Sequence, residues 1–85
     1  MSEPTVRLLL FAAAREAAGI GRTELPVAPS GASVSELLSA IVERYPALAP
    51  HASSIRLAVN GEYARDDDRV RPGDEIAVLP PLAGG

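Results

Sequence analysis

The fold is decided by one run of the sequence, SVSELLSAIVERY at positions 33–45. Its apolar residues recur every three or four positions, which gives a helix one continuous apolar face. These residues are Val34, Leu37, Leu38, Ile41, Val42 and Tyr45. Ser33 and Glu36 have the spacing of a capping box, and Pro46 ends the helix because proline disfavours a helical residue before it. We therefore predict one long amphipathic helix whose apolar face belongs to the core.

The segments around this helix predict the strands of a sheet. Most of them are rich in aliphatic and β-branched residues and lie between turn signals. Pro26 restricts one segment to a sheet edge, because it cannot donate a ladder hydrogen bond. Asn60 and Gly61 are the strongest short hairpin signal and join two strands through a type I′ turn. The predicted strands span residues 5–11, 22–28, 55–59, 62–64 and 75–79.

The order of elements indicates an α+β fold. Residues 12–18 favour a short helix that Gly19 stops, whereas residues 47–54 are predicted as a loop. The three aspartates at 66–68 lack the spacing of a calcium loop and are predicted as a solvated turn. We expect a mixed sheet of about five strands with one main helix across one face. Residues 1–79 would form this single domain and residues 80–85 a flexible, extended tail.

Alternation along the strands separates two faces of the predicted sheet. If the first and last strands pair in parallel at the centre, one set of side chains lies under the long helix: Val6, Leu8, Leu10, Ile76 and Val78. The opposite set is also apolar: Leu9, Phe11, Ala77 and Leu79, joined by Ala58. One helix covers only one face, so we predict a partner interface on the other. The alternative is that the short helix at 12–18 folds over it.

The C-terminal residues PPLAGG, positions 80–85, predict a second functional element. Gly84 and Gly85 have no Cβ, so the tip fits a channel too narrow for other residues. Pro80 and Pro81 favour an extended course that holds the tip away from the domain. These features favour the Gly85 carboxylate as a reacting group, and the alternative is a frayed end.

Composition excludes several classes of function. The chain of 85 residues has a net charge of −3, which argues against nucleic-acid binding. It contains no cysteine and a single histidine, His51, so we expect neither a disulfide nor a metal site. The apolar run at 8–14 lacks the positive flank of a signal peptide and is too short to span a membrane. We expect a cytoplasmic protein without a bound cofactor, and no catalysis by this chain alone, since it shows no nucleophile–base pair.

Four motifs, in this order, resemble a known family. They are LLFAAARE at 9–16, VNG at 59–61, GDEIA at 73–77 and LPPLAGG at 79–85. Together they resemble the small subunits of molybdopterin synthase, which are ubiquitin-like β-grasp sulfur carriers. The combination of the first motif with the last is the most specific part of the resemblance.

The resemblance implies a carrier chemistry at the C-terminus. An adenylating, ubiquitin-activating-like enzyme would use ATP to convert the Gly85 carboxylate into an acyl-adenylate. A sulfur donor protein would then displace AMP, leaving a thiocarboxylate on Gly85. The large subunit of molybdopterin synthase would take up the tail and pass the sulfur to cyclic pyranopterin monophosphate.

The same resemblance implies roles for individual residues. Gly85 would carry the sulfur and Gly84 would allow passage through the channel, which residues Pro80, Pro81, Leu82 and Ala83 would line together with Leu79. Phe11 and Leu79 would anchor the interface, with Leu9 beside them. Leucine stands at position 79 where the family often has an aromatic residue, so the anchor is smaller. Arg15 matches an arginine of the family, although pairing with Glu16 or Glu24 would explain it equally well.

Three alternative functions remain open at the level of sequence. The chain could carry sulfur for another pathway, such as thiamine thiazole, cysteine or tRNA thiolation, because those carriers share the fold and the Gly-Gly end. It could be a ubiquitin-like protein modifier, which conjugates on lysine would reveal. It could also be an interaction domain with an idle tail, in which case deleting Gly84 and Gly85 would leave function intact.

Overall fold

The computed structural model describes residues 3–79, which share one hydrophobic core. The helices are α1 (Ala12–Ala18), α2 (Val34–Arg44) and a 3-10 helix (Pro46–His51). The strands are β1 (Thr5–Leu10), β2 (Arg22–Pro26), β3 (Ala32–Ser33), β4 (Arg56–Val59), β5 (Glu62–Tyr63), β6 (Arg69–Val70) and β7 (Glu75–Leu79). Five of them form one mixed sheet in the order β2-β1-β7-β4-β5, and β3 pairs with β6 in a separate ribbon.

The central pairing of the sheet is the predicted one. β1 and β7 run parallel, with Leu9 opposite Ala77 and Leu10 opposite Val78. The other pairs of this sheet are antiparallel, and β2 occupies an edge, as Pro26 requires. Asn60 and Gly61 both have positive φ, 51° and 88°, as a type I′ turn demands.

Helix α2 lies against one face of this sheet and completes the core. Val34, Leu37 and Ile41 are buried on it, and they pack with the predicted strand residues Val6, Leu8, Leu10, Ile76 and Val78. The capping box is present: Ser33 Oγ accepts from the Glu36 N–H at 3.1 Å, and Glu36 Oε1 accepts from the Ser33 N–H at 2.9 Å. The bond from the Ser33 N–H lowers the pKa of Glu36.

One prediction about local structure was wrong, and one element was missed. The expected loop at 47–54 contains the 3-10 helix Pro46–His51, whose Leu48 is fully buried against the core. The β3–β6 ribbon was not foreseen, because strands of two residues carry no periodicity. A Cβ on Gly31, where φ is 86°, would collide with the Val70 carbonyl oxygen, so the ribbon requires glycine there.

Helix α1 lies on the same side of the sheet as α2. Its Ala14 is buried in the common core, with Ala17 and Ala18 packed against that core, and the helix contacts the 3-10 helix that follows α2. The alternative that α1 covers the second face is therefore wrong. Within residues 3–79, no helix is both long and apolar enough to cross a membrane.

Candidate partner-binding face

The face of the sheet turned away from α2 is uncovered and apolar at one end. Phe11 is 46% exposed, and Leu9, Ala77 and Leu79 are partly exposed. The strand register places Leu9 beside Ala77 and Ala77 beside Ala58. The structure thus brings together the predicted face residues, although Ala58 among them is buried. We call this surface, comprising Leu9, Phe11, Ala58, Ala77 and Leu79, the open face.

A sharp turn after β1 positions Phe11 on the open face. Phe11 is extended, with φ −121° and ψ 152°, so it continues the alternation beyond buried Leu10. Its N–H donates to the Val78 carbonyl at 3.3 Å, which keeps it beside the end of β7. Ala12 then adopts φ 48°, a conformation that costs a non-glycine residue about 1–2 kcal/mol. The chain turns into α1 there and leaves the Phe11 side chain half exposed.

Tyr63 extends the open face to the far edge of the sheet. It lies opposite Ala58 in the β4–β5 hairpin and is 73% exposed. Sequence analysis placed the hairpin correctly but did not assign Tyr63 to this face. The assignment needs the pairing of Tyr63 with Ala58, which follows once the Asn60–Gly61 turn is counted as a two-residue loop.

Charged residues on this side of the sheet are arranged in two different ways. Away from the tail, Arg7 lies 3.9 Å from a Glu75 carboxylate oxygen, and Thr5 donates a 3.1 Å hydrogen bond to Glu24. Next to the apolar residues, Arg22 lies opposite Leu9, and Arg56 lies opposite Leu79. Within residues 3–79, neither of these two arginines has a carboxylate within 4.0 Å.

Arg15 packs on backbone and makes none of the ion pairs considered for it. Its side chain lies over Gly21, where a Cβ would approach the Arg15 Nε to 3.0 Å. Glu24 instead accepts from Thr5, and in the described part of the chain Arg15 has no carboxylate within salt-bridge distance. Arg15 and Gly21 line a shallow, open depression together with Ala12 and Ile20.

A polar bridge fixes the end of the open face farthest from Phe11. Asn60 Nδ2 donates to Asp74 at 3.0 Å, and Asn60 Oδ1 accepts from the Glu75 N–H at 2.9 Å. Asp74 also accepts from the Arg71 N–H at 2.8 Å. This backbone bond, followed by the one from Asn60, lowers the pKa of Asp74. The bridge ties the β4–β5 turn to the start of β7.

The predicted tail residues Pro80, Pro81, Leu82, Ala83, Gly84 and Gly85 lie outside the described residues. The roles proposed for them rest on sequence, since the described chain ends at Leu79. Among residues 3–79, no group of three or more histidine, cysteine, aspartate or glutamate side chains is arranged to hold a metal ion.

Comparison with known sequences gives a consistent set of relatives. The model of the ThiS family matches residues 8–85. A molybdopterin synthase sulfur carrier subunit from Arabidopsis thaliana is 38% identical over 84 residues, covering 99% of this chain and 86% of the relative. A subunit of the same name from Aedes aegypti is 42% identical over 92 residues, covering 99% and 94%.

Solved structures share the fold. A putative molybdopterin converting factor subunit 1 from Pyrococcus furiosus superimposes with a TM-score of 0.81 at 28% identity, covering 94% of this chain and all of the other. SAMP1 from Haloferax volcanii gives 0.79 at 31% identity, covering 95% and 99%. A chain in the complex of subunits 1 and 2 of molybdopterin-converting factor from Helicobacter pylori gives 0.65 at 22% identity, covering 95% and 99%. That last likeness concerns the fold alone.

Proposed function

Since this chain belongs to the ThiS family, we propose that it is the sulfur carrier subunit of a molybdopterin synthase and acts in molybdenum cofactor biosynthesis. The observation that carries this proposal is the open face, where the half-exposed Phe11 lies beside the end of β7. A partner that covers this end of the sheet would also receive the chain that continues from Leu79 toward Gly85.

The proposed chemistry takes place on the C-terminal carboxylate. A carboxylate is a poor electrophile, so an activating enzyme would first join the Gly85 oxygen to the α-phosphorus of ATP with release of pyrophosphate. The persulfide of a donor protein would attack the acyl carbon and displace AMP. A thiol would then cleave the sulfur–sulfur bond and leave a thiocarboxylate. This group is ionised at neutral pH and nucleophilic, so the carrier needs no base of its own.

The large subunit of molybdopterin synthase is the proposed partner for sulfur delivery. In the Helicobacter pylori complex, a protein with this fold is joined to subunit 2 of molybdopterin-converting factor. Here the large subunit would hold the pterin precursor and the carrier would supply the sulfur. The absence of catalysis by this chain alone, the absence of a bound cofactor and the cytoplasmic location stay predictions.

The proposal is tested by loading and delivery in a defined system. The chain is incubated with ATP, an activating enzyme and a sulfur donor, and its intact mass is measured. We expect sulfur to replace one oxygen of Gly85, and the loaded chain plus large subunit to convert cyclic pyranopterin monophosphate to molybdopterin. Deleting Gly84 and Gly85 should abolish both steps. An unloaded tail in the complete system would contradict the proposal.

A protein modifier is the second candidate, favoured by the likeness to SAMP1, the small archaeal modifier protein 1 from Haloferax volcanii. Both functions need an activated glycine carboxylate and differ in the acceptor, which is sulfur in one case and a lysine amine in the other. Affinity-tagged chain recovered from cells distinguishes them: lysine conjugates support a modifier, and a thiocarboxylate without conjugates supports a carrier. A thiocarboxylate recovered with a different partner would indicate sulfur delivery to another pathway.

A further inference from the structure

Two arginines flank the apolar end of the open face. Arg22 on β2 lies opposite Leu9, and Arg56 on β4 lies opposite Leu79. Both are exposed, and β1 and β7 lie between their strands. Three strand spacings separate β2 from β4, and Arg56 lies two residues further along the strands than Arg22, which places their Cα atoms about 16 Å apart. The residues between them are Leu9, Ala77 and Leu79, with Phe11 at the end.

The next charged row of the same face is compensated within the chain. Arg7 has Glu75 at 3.9 Å on one neighbouring strand and Glu24 opposite it on the other. Thr5 and Asn60 hold the two ends of this row through Glu24 and the Glu75 N–H. The row thus holds two carboxylates and one guanidinium, so the positive charge of Arg7 is compensated within the chain. Arg22 and Arg56 have no such carboxylate among residues 3–79.

This difference has a direct consequence for a surface that becomes buried. An arginine covered by a partner must keep its hydrogen bonds, and a carboxylate satisfies the planar guanidinium with two parallel bonds. A partner without carboxylates at these two places would lose affinity through desolvation. The chain carries a net charge of −3, so this local positive charge runs against the charge of the whole molecule.

We propose that Arg22 and Arg56 form a charge clamp. In this clamp the large subunit covers the apolar centre of the open face, Phe11 and Leu79, and places one carboxylate against each of the two flanking arginines. The clamp rests on the proposed function, because it specifies how that subunit is recognised. The apolar centre supplies most of the affinity, and the clamp sets orientation and association rate. A carrier with the same apolar centre but acidic flanks would be rejected by like-charge repulsion.

Charge reversal tests the clamp with a matched control. Binding of the full-length chain to purified large subunit is measured at low and at physiological salt for Arg22→Glu, Arg56→Glu and the double variant. Arg44→Glu is the control, because Arg44 is exposed in the last turn of α2, on the other side of the sheet, and the charge change is identical. Circular dichroism and urea unfolding verify that all four variants keep the fold.

We expect the reversals at Arg22 and Arg56 to weaken binding to the large subunit more than the reversal at Arg44. Each single reversal should raise Kd about tenfold, and the double variant should raise it more, chiefly through slower association. In the double variant the salt dependence of association should reverse, with added salt speeding association, because screening weakens the like-charge repulsion. Arg44→Glu should stay within about twofold of wild type in Kd, as expected for a charge outside the interface.

Three outcomes would overturn the clamp. Reversals no more harmful than Arg44→Glu, while the wild type binds, would overturn it and leave the proposed function standing. Reversals that impair adenylation but leave large-subunit binding intact would assign the arginines to the activating enzyme instead. Failure of the wild-type chain itself to bind the large subunit would overturn both the clamp and the proposed function.

Discussion

The two faces of the five-stranded sheet are built from alternate residues of the same strands, but one face is buried in the core and the other is partly exposed. On one face, Leu8 and Ile76 are fully buried beneath α2. On the other, Leu9 and Ala77 are only partly covered, although they are the immediate neighbours in sequence. The difference shows that apolar character alone does not distinguish a core residue from a binding residue. What distinguishes them is whether the chain has an element left to cover the face.

Both α-helices lie on the same side of the sheet, which leaves the other side without a covering helix. Ala14 of α1 and Ile41 of α2 belong to the same core, so no helix in the described chain covers the open face. The covered face should therefore determine folding stability, and the open face should determine partner binding.

The largest effect is expected at Leu8, with Leu9 as its matched neighbour. Leu8→Ala would leave a cavity in the core and lower the free energy of unfolding by about 2–5 kcal/mol. Leu9→Ala should cost less than about 1 kcal/mol, because its side chain is already partly in water. Urea unfolding of the two variants measures the difference. Equal losses would show that both faces contribute alike to stability.

A second large effect is expected at Gly31, which closes the β3–β6 ribbon beside the core. Gly31→Ala combines an unfavourable positive φ with a collision against the Val70 carbonyl, and should cost at least about 2 kcal/mol. Gly61→Ala is the control, because φ is similar at 88° but the added Cβ meets nothing within 4 Å. Thermal unfolding should show a larger fall in Tm for Gly31→Ala than for Gly61→Ala. Equal falls in Tm would show that the backbone around Val70 moves to accommodate the added Cβ.

On the open face, Phe11→Ala should weaken binding to the large subunit by about 10- to 100-fold while changing unfolding free energy by less than about 1 kcal/mol. The side chain is half exposed in the free chain and would be buried by a partner. Tyr63→Ala is an aromatic control on the edge strand β5, away from Phe11, where a smaller effect on Kd is expected. Calorimetric titration measures both, and a larger effect at Tyr63 would move the centre of the interface.

The smallest effect concerns acid stability at Asp74. Hydrogen bonds from the Arg71 N–H and Asn60 lower the pKa of Asp74 in the folded chain, so its ionised form favours folding above the unfolded pKa. That contribution is lost as the pH falls from about 4 through the folded pKa. Asp74→Asn should be less stable than wild type at pH 7, and the difference should shrink below pH 4. Urea midpoints across this range test the sign, and a difference that grows in acid would contradict it.

Sequence reasoning predicted much of this molecule because the decisive signals were local. The stripe from Val34 to Tyr45, the capping box and the Asn60–Gly61 turn each specify geometry within a few residues. Alternation in the first and last strands then assigned Leu9, Phe11 and Leu79 to one face. The burial of Leu48 in a 3-10 helix was not predictable in this way, because that segment carries no complete helical period.

The sequence by itself determined the strands, the long helix and the two sets of apolar side chains, since period and turn chemistry are properties of neighbouring residues. Only the tertiary structure decided that α1 lies on the same side of the sheet as α2, that β3 pairs with β6, and that Arg22 and Arg56 flank the same apolar surface. These facts depend on contacts between residues distant in the chain, which form where buried area and hydrogen bonding outweigh the entropy of closing long loops. Such a balance is a property of the whole fold.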